Sequence, residues 1–248
     1  MDAEWIAQAL EAVRSHPDAE KMLHSDPPPP DSWEAVTEGM FGGSTPKGGD
    51  GRDGNLLALP PPYGDAFRRM IDCPAVVSRL RWMLGSGFGV AHGVGTLYGN
   101  PGDRGIFLHA GGAPLQVHSH AAMRNGRLHS DYINISWALQ DTTIAHGGFC
   151  TIPGSHKASM PLPGVDPSGE GRFDGQGSVD PVGLSVNPQQ LMDDACLRHI
   201  ALNAGDVVLF LGAAATHGAM TWRGPSPRRQ ILFSCYSRAN MLSMRSKL

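Results

Sequence analysis

The sequence predicts a mainly-β fold with flanking helices, and three observations lead to this expectation. Its 248 residues include 32 Gly and 20 Pro, which disfavour long helices because Pro lacks an amide donor and Gly costs backbone entropy. Short β-type runs follow residue 86, with Gly, Pro, Asn and Asp clusters between them. Helical spacing of apolar residues is concentrated before that point. We therefore expect an antiparallel β-sandwich or barrel, and a helical bundle is excluded.

The N-terminal flank, residues 1–86, is expected to be helical and rich in loops. Apolar residues recur at helical spacing in 2–23 and again in 64–85, where Pro74 interrupts the pattern. The Gly-rich stretch 39–54 between these regions is typical of a loop.

The β-rich core is expected over residues 87–240, within a single domain that covers 1–248. Residues 158–195 form a polar, Gly-rich insertion that is too long for an ordinary connection, so we expect a lid or a mobile loop there. The expected strands are 90–98, 131–140, 148–152, 196–201, 206–212 and 230–237.

Charge and cysteine usage exclude several classes of partner. The net charge is −3, from 20 Lys and Arg against 23 Asp and Glu, and no basic block indicates nucleic-acid binding. No apolar run approaches the roughly 20 residues of a membrane span. The N-terminus is acidic, unlike a secretory or transit peptide, and the four cysteines are far apart. We therefore expect a cytoplasmic protein without structural disulfides and without a nucleic-acid or membrane partner.

Two residues near the C-terminus form the first candidate site. His217 follows the apolar run that begins at Gly205, and Arg228 stands eleven residues later, at the start of another apolar run. A neutral imidazole at a strand end suits a divalent metal of intermediate softness. An Arg on the neighbouring strand offers a planar fork of donors for a carboxylate. The spacing therefore indicates a metal ligand next to an anion-binding residue.

Two longer segments resemble a known family. The first segment contains W-A-L-Q-D from Trp137, followed by G-G-F and P-G-S-H-K, and the second contains GDVVLF, THG and RRQILFSCYS. In this order, these motifs resemble the phytanoyl-CoA dioxygenase family of non-haem iron, 2-oxoglutarate-dependent oxygenases. The resemblance extends over roughly residues 90–240. It implies a double-stranded β-helix (jelly-roll, cupin-like) core. It also implies an enzyme, a 2-oxoglutarate-dependent dioxygenase that uses Fe(II), 2-oxoglutarate and molecular oxygen to oxidise a small-molecule substrate.

The resemblance also implies roles for individual residues. His217 takes the position of the distal iron ligand, and Arg228 takes that of the 2-oxoglutarate anchor. Trp137 takes a strand position that lines the cosubstrate pocket. His156 and Lys157, within P-G-S-H-K, are expected to form a solvated turn that marks the fold.

The proximal iron ligand has several candidates. They are His109, His129 with Asp131, and His118 with His120. His129-x-Asp131 is a literal His-x-Asp pair, but if it continues into the following strand, His129 lies about 26 Å from Trp137 at ~3.3 Å per residue. His109 follows a strand and an N-P-G-D turn, as the first ligand does in the family. We therefore favour His109.

The choice of His109 leaves the iron without a carboxylate at the next position but one, because Gly111 stands there. In related iron halogenases a small residue at this position leaves room for chloride, so halogenation is an alternative to the expected hydroxylation of a C–H bond. Water or Asp131 could instead complete the iron's ligands. A rival from another class is a jelly-roll binding protein or isomerase without redox chemistry.

Overall fold

The computed structural model of the chain describes residues 3–15, 56–58, 61–90, 95–99, 101, 106–109, 121–157, 196–226 and 228–245. The expected Gly-rich loop at 39–54 and the expected insertion at 158–195 lie outside these residues. The helices are α1 (Ala3–Ser15), α2 (Asp65–Ile71), α3 (Pro74–Leu84) and α4 (Arg238–Arg245).

The strands follow the expected pattern of short elements. They are β1 (Gly89–Val90), β2 (Gly95–Gly99), β3 (Ile106–His109), β4 (Ala121–Arg124), β5 (Arg127–Ser130), β6 (Tyr132–Ala138), β7 (Gly148–Thr151), β8 (Arg198–His199), β9 (Val207–Phe210), β10 (His217–Met220) and β11 (Arg228–Tyr236).

The larger sheet is built around β11, its longest strand. Its order is β1-β11-β6-β9, with β2 also paired to β11, and every pairing is antiparallel. Side chains alternate across the sheet, so Ile231 and Phe233 belong to the apolar face, whereas Gln230 and Ser234 point to the other face. The sheet therefore separates an apolar side from a more polar side.

Helices cover the apolar side of this sheet. One core cluster joins buried residues of α1, α2 and α3 to alternate residues of β6 and β11. The helical residues include Ala9, Phe67 and Leu80, and the strand residues include Ile135 and Phe233. Burial of these side chains from water stabilises the attachment of the helical flank.

The second sheet has the order β3-β10-β7-β8 and is also antiparallel. Phe149 on β7 contacts Phe210 on β9, with ring centroids 5.0 Å apart, so side chains of the two sheets meet between them. Strands β4 and β5 form a separate two-stranded sheet. Among the described strands neither main sheet closes into a barrel, and the arrangement is that of a jelly roll.

Several elements were not expected from the sequence pattern. They are β3, the β4–β5 hairpin, β10 and α4. The hairpin turns at Asn125-Gly126, where both residues have positive φ, 50° and 70°. An Asn-Gly pair is the strongest short-range signal for such a turn, so this element was detectable in the sequence. No helix in the described part of the chain is long and apolar enough to span a membrane.

The helical flank should contribute to the free energy of unfolding through its buried face. We expect Phe67→Ala to lower that free energy by about 3–5 kcal/mol, because a fully buried phenyl ring is lost and a cavity remains. Trp82→Ala is the control, since Trp82 is 87% exposed and its loss should change stability by about 0.5 kcal/mol or less. Chemical denaturation of the two variants measures the difference, and equal effects would contradict the described packing.

Candidate active site

His217 begins β10 and is directly opposite His109, the last residue of β3. The two residues are Cα partners in the antiparallel pairing, and Thr151 of β7 is the partner of His217 on the other side. The structure therefore brings together, at backbone level, the two histidines that the sequence separates by more than a hundred residues.

The His217 ring is buried and held in one orientation by the backbone. Its Nδ1 lies 2.8 Å from the carbonyl oxygen of Ala215. A carbonyl only accepts hydrogen bonds, so Nδ1 carries the proton and the neutral ring has its lone pair on Nε2. This is the tautomer that metal-binding histidines take when a carbonyl fixes the other nitrogen.

Aromatic rings surround His217 within the fold. Its centroid is 4.6 Å from that of Phe210 and 6.2 Å from that of Phe149. Because Phe210 is on the larger sheet and His217 is on the smaller one, the imidazole lies between the two sheets. The phenyl rings shield this side of the imidazole from water.

The loop that contains P-G-S-H-K supports the residue before His217. The Thr216 amide donates a hydrogen bond to Ser155 Oγ at 2.8 Å, and Thr151 Oγ1 donates one to the Thr216 carbonyl at 2.7 Å. Within the same 3-10 turn, Lys157 is exposed and His156 is half-buried. Ser155 and Thr151 therefore hold the start of β10 in place, a role that the sequence pattern did not reveal.

Arg228, the first residue of β11, is a buried cation. Its Nη2 donates a hydrogen bond to Gln230 Oε1 at 2.5 Å, whereas its Nε is buried without a hydrogen-bond partner among the residues that the structure describes. Burial lowers the pKa of its guanidinium to about 10. No carboxylate among the described residues forms an ion pair with it. An unpaired buried charge is costly, so the geometry favours an anionic ligand at this position.

The neighbours of Arg228 do not supply the missing negative charge. Burial raises the pKa of the Cys150 thiol to about 12, although Arg228 acts in the opposite direction, so this thiol stays neutral. Burial lowers the pKa of His199, and Arg228 and Arg223 lower it further, which also favours the neutral form. The described neighbours of Arg228 therefore do not compensate its charge.

The Arg228 guanidinium lies near the end of β10 that is opposite His217. A Cβ added to Gly148 would come within 3.7 Å of Arg228 Nε, so the guanidinium lies beside that glycine. Gly148 is the partner of Met220, at the other end of β10 from His217, and the three residue steps from His217 to Met220 span about 10 Å. A five-carbon dicarboxylate that also chelates a metal can bridge such a gap.

The alternative ligands His129 and Asp131 lie on or next to β5. His129 is exposed on β5, which belongs to the separate two-stranded sheet. The Asp131 carboxylate accepts a hydrogen bond from Ser237 Oγ at 2.8 Å, next to the start of α4. His118, His120 and Gly111 lie outside the described residues, as does the side chain of His109. Within the described part, no three His, Cys, Asp or Glu side chains group together as a metal site.

Trp137 packs against the helical flank. Its side chain belongs to the helix-facing core, and its ring centroid is 6.1 Å from that of Trp5 in α1. Its neighbours Ser136 and Ala138 occupy the opposite face of β6, because side chains alternate along a strand. Its Nε1 is buried without a hydrogen-bond partner among the described residues. The expected contact of Trp137 with the cosubstrate stays a prediction.

Fold and site together define a class: a jelly-roll protein with a buried histidine at a strand end and a buried arginine at the start of another strand. The family model for phytanoyl-CoA dioxygenase (PhyH) matches residues 100–230, more than half of the chain. The chain belongs to the phytanoyl-CoA dioxygenase family. No curated protein sequence matches it.

Solved structures of low sequence identity share the fold. HygX from Streptomyces hygroscopicus, with nickel and 2-oxoglutarate bound, is 21% identical with a TM-score of 0.54, over 75% of this chain and 68% of HygX. AviO1 from Streptomyces viridochromogenes Tue57 is 17% identical with a TM-score of 0.54, over 96% of this chain and 87% of AviO1. ThoJ, a non-haem monooxygenase in complex with nickel, is 14% identical with a TM-score of 0.54, over 96% and 70%.

These findings confirm the family and the jelly-roll fold class that the sequence indicated. Family membership also confirms the expected enzyme class, a 2-oxoglutarate-dependent non-haem iron oxygenase, and its cofactors, iron and 2-oxoglutarate.

The position of Trp137 leads to a prediction that separates packing from ligand binding. We expect Trp137→Phe to lower the free energy of unfolding by roughly 1 kcal/mol, through loss of the contact with Trp5. If Trp137 acts by packing alone, the dissociation constant of 2-oxoglutarate, measured in the presence of Fe(II) without oxygen, stays within about twofold. A large loss of 2-oxoglutarate affinity at unchanged stability would contradict the packing role.

Proposed function

We propose that this protein hydroxylates a C–H bond of a small organic substrate, with His109 and His217 as iron ligands and Arg228 as the anchor of 2-oxoglutarate. The observation that carries the proposal is the buried Arg228 guanidinium, which has no carboxylate partner among the described residues and lies about 10 Å of strand from His217.

The two histidines support a metal at the junction of β3 and β10. We pair His109 with His217 because their Cα atoms are direct partners in the antiparallel pairing of β3 with β10. The Ala215 carbonyl keeps the His217 proton on Nδ1, so Nε2 is the nitrogen suited to Fe(II). The Asp131 carboxylate accepts a hydrogen bond from Ser237, and we therefore assign it no iron-binding role.

In this proposal the protein positions the cosubstrate and keeps water away from it. Iron and 2-oxoglutarate, when bound, would supply the oxidising chemistry: 2-oxoglutarate would be converted to succinate and carbon dioxide, with one oxygen atom of O₂ in succinate and the other in the substrate. Arg228 binds the far carboxylate of 2-oxoglutarate and so fixes its orientation toward His217. Phe149 and Phe210 keep water away from this region and so favour reaction with substrate rather than solvent.

We also propose the cytoplasm as the location and a single domain as the organisation. All four cysteines are free, and Cys150 and Cys235 are buried, which suits a reducing compartment. The helices of the flank share one core cluster with the larger sheet, as expected of one folded unit.

An anaerobic titration with Fe(II) and 2-oxoglutarate tests the assignment. We expect the wild type to develop the metal-to-ligand charge-transfer band, and His217→Ala and His109→Ala to lose it. Arg228→Ala should keep Fe(II) but bind 2-oxoglutarate roughly 10- to 100-fold more weakly, because a charge-assisted hydrogen-bond partner is lost. His129→Ala is the matched control, since this exposed histidine should leave the band intact.

The outcomes separate the competing assignments. Absence of the band in the wild type would contradict the oxygenase and favour a binding protein without redox chemistry. Loss of the band in His129→Ala, with retention in His109→Ala, would move the proximal ligand to β5. Chloride incorporated in place of hydroxyl, at normal succinate yield, would replace hydroxylation by halogenation.

A further inference from the structure

We infer that Gln230 is a second donor to the far carboxylate of 2-oxoglutarate, and that it holds Arg228 ready for this anion without neutralising it. The inference rests on the proposed function and goes beyond it, because it assigns cosubstrate selectivity to a residue outside the expected ligand set. Gln230 is a neutral residue two positions after Arg228 on the same face of β11.

The Gln230 amide is buried and its oxygen is fully engaged. The residue is 1% exposed, and Oε1 accepts hydrogen bonds from Arg228 Nη2 at 2.5 Å and from Ser136 Oγ at 3.3 Å. Because both donors approach the oxygen, the carboxamide is held in one of its two orientations. The amide nitrogen therefore has a defined direction.

Two donors next to each other lack partners. Gln230 Nε2 and Arg228 Nε are both buried without a hydrogen-bond partner among the described residues. Buried polar groups are nearly always satisfied in native structures, so two adjacent exceptions indicate a missing acceptor. A carboxylate offers two oxygens and can accept from both donors at once. This pair is therefore suited to one end of a dicarboxylate.

Because the Gln230 side chain is uncharged, it orients Arg228 without neutralising it. A glutamate at this position would accept the same Arg228 hydrogen bond but would form an internal ion pair. The guanidinium would then have little charge left for a ligand. Glutamine orients Arg228 equally well, and the positive charge stays available to the cosubstrate.

Ser136 acts as a positioning residue in this scheme. It lies on β6, whose pairing with β11 places Ala138 opposite Gln230 and Ser136 opposite Leu232. Its hydroxyl thus reaches the amide diagonally across the two strands. Without this bond the amide could flip and direct its oxygen toward the ligand carboxylate.

Two substitutions of Gln230 test the inference, with the 2-oxoglutarate dissociation constant and the thermal midpoint of the metal-free protein as readouts. Gln230→Glu should bind 2-oxoglutarate at least about 30-fold more weakly, while its metal-free thermal midpoint stays at or above that of the wild type. Gln230→Leu should weaken binding about tenfold, through loss of the second donor and of the Arg228 acceptor. Ser136→Ala should weaken it about two- to fivefold.

The matched control is Gln8→Glu, the same chemical change on the exposed face of α1. It should leave the dissociation constant of 2-oxoglutarate unchanged. Wild-type affinity in both Gln230→Glu and Gln230→Leu, together with a normal loss in Arg228→Ala, would overturn the inference and leave the proposed function intact. Failure of the wild type to bind 2-oxoglutarate would instead overturn the proposed function itself, and the inference with it.

Discussion

The burial of a positive charge at the start of β11 is the constraint on which the site depends. Arg228 is enclosed by the jelly roll, and burial alone lowers the pKa of its guanidinium. Gln230 and the neutral Cys150 thiol contact or surround it without offering a negative charge. A buried cation without a compensating charge is costly, so this position favours an anionic ligand.

The rest of the architecture positions the buried charge relative to the proposed metal ligands. β11 has one face packed under the helices through Ile231 and Phe233, and this packing holds the other face, with Arg228 and Gln230, in position. β10 runs from His217 to Met220, so the proposed metal ligand lies at one end of this strand and the proposed 2-oxoglutarate anchor lies near the other end. Three strands, β3, β10 and β11, thus position the proposed metal ligands and the proposed anchor.

Local sequence pattern predicts part of the proposed site. His217 and Arg228 are eleven residues apart next to apolar strands, and P-G-S-H-K is typical of the family. The packing of Trp137 could also be predicted, because Asn134 and Ser136 alternate with apolar residues and place Trp137 on the other face of the strand. Gln230 was beyond reach, since its role depends on Ser136, ninety-four residues away in sequence. The pairing of His109 with His217 is likewise a product of strand register.

The most direct test of the central claim compares two cosubstrates that differ in one charged group. Calorimetry of the Fe(II)-loaded protein without oxygen would measure the affinities of 2-oxoglutarate and 2-oxopentanoate, which share the chelating end and differ at the far carboxylate. We expect 2-oxoglutarate to bind at least about 30-fold more tightly, and Arg228→Ala to remove most of this preference. Equal affinities in the wild type would contradict the claim that the buried Arg228 charge selects the ligand.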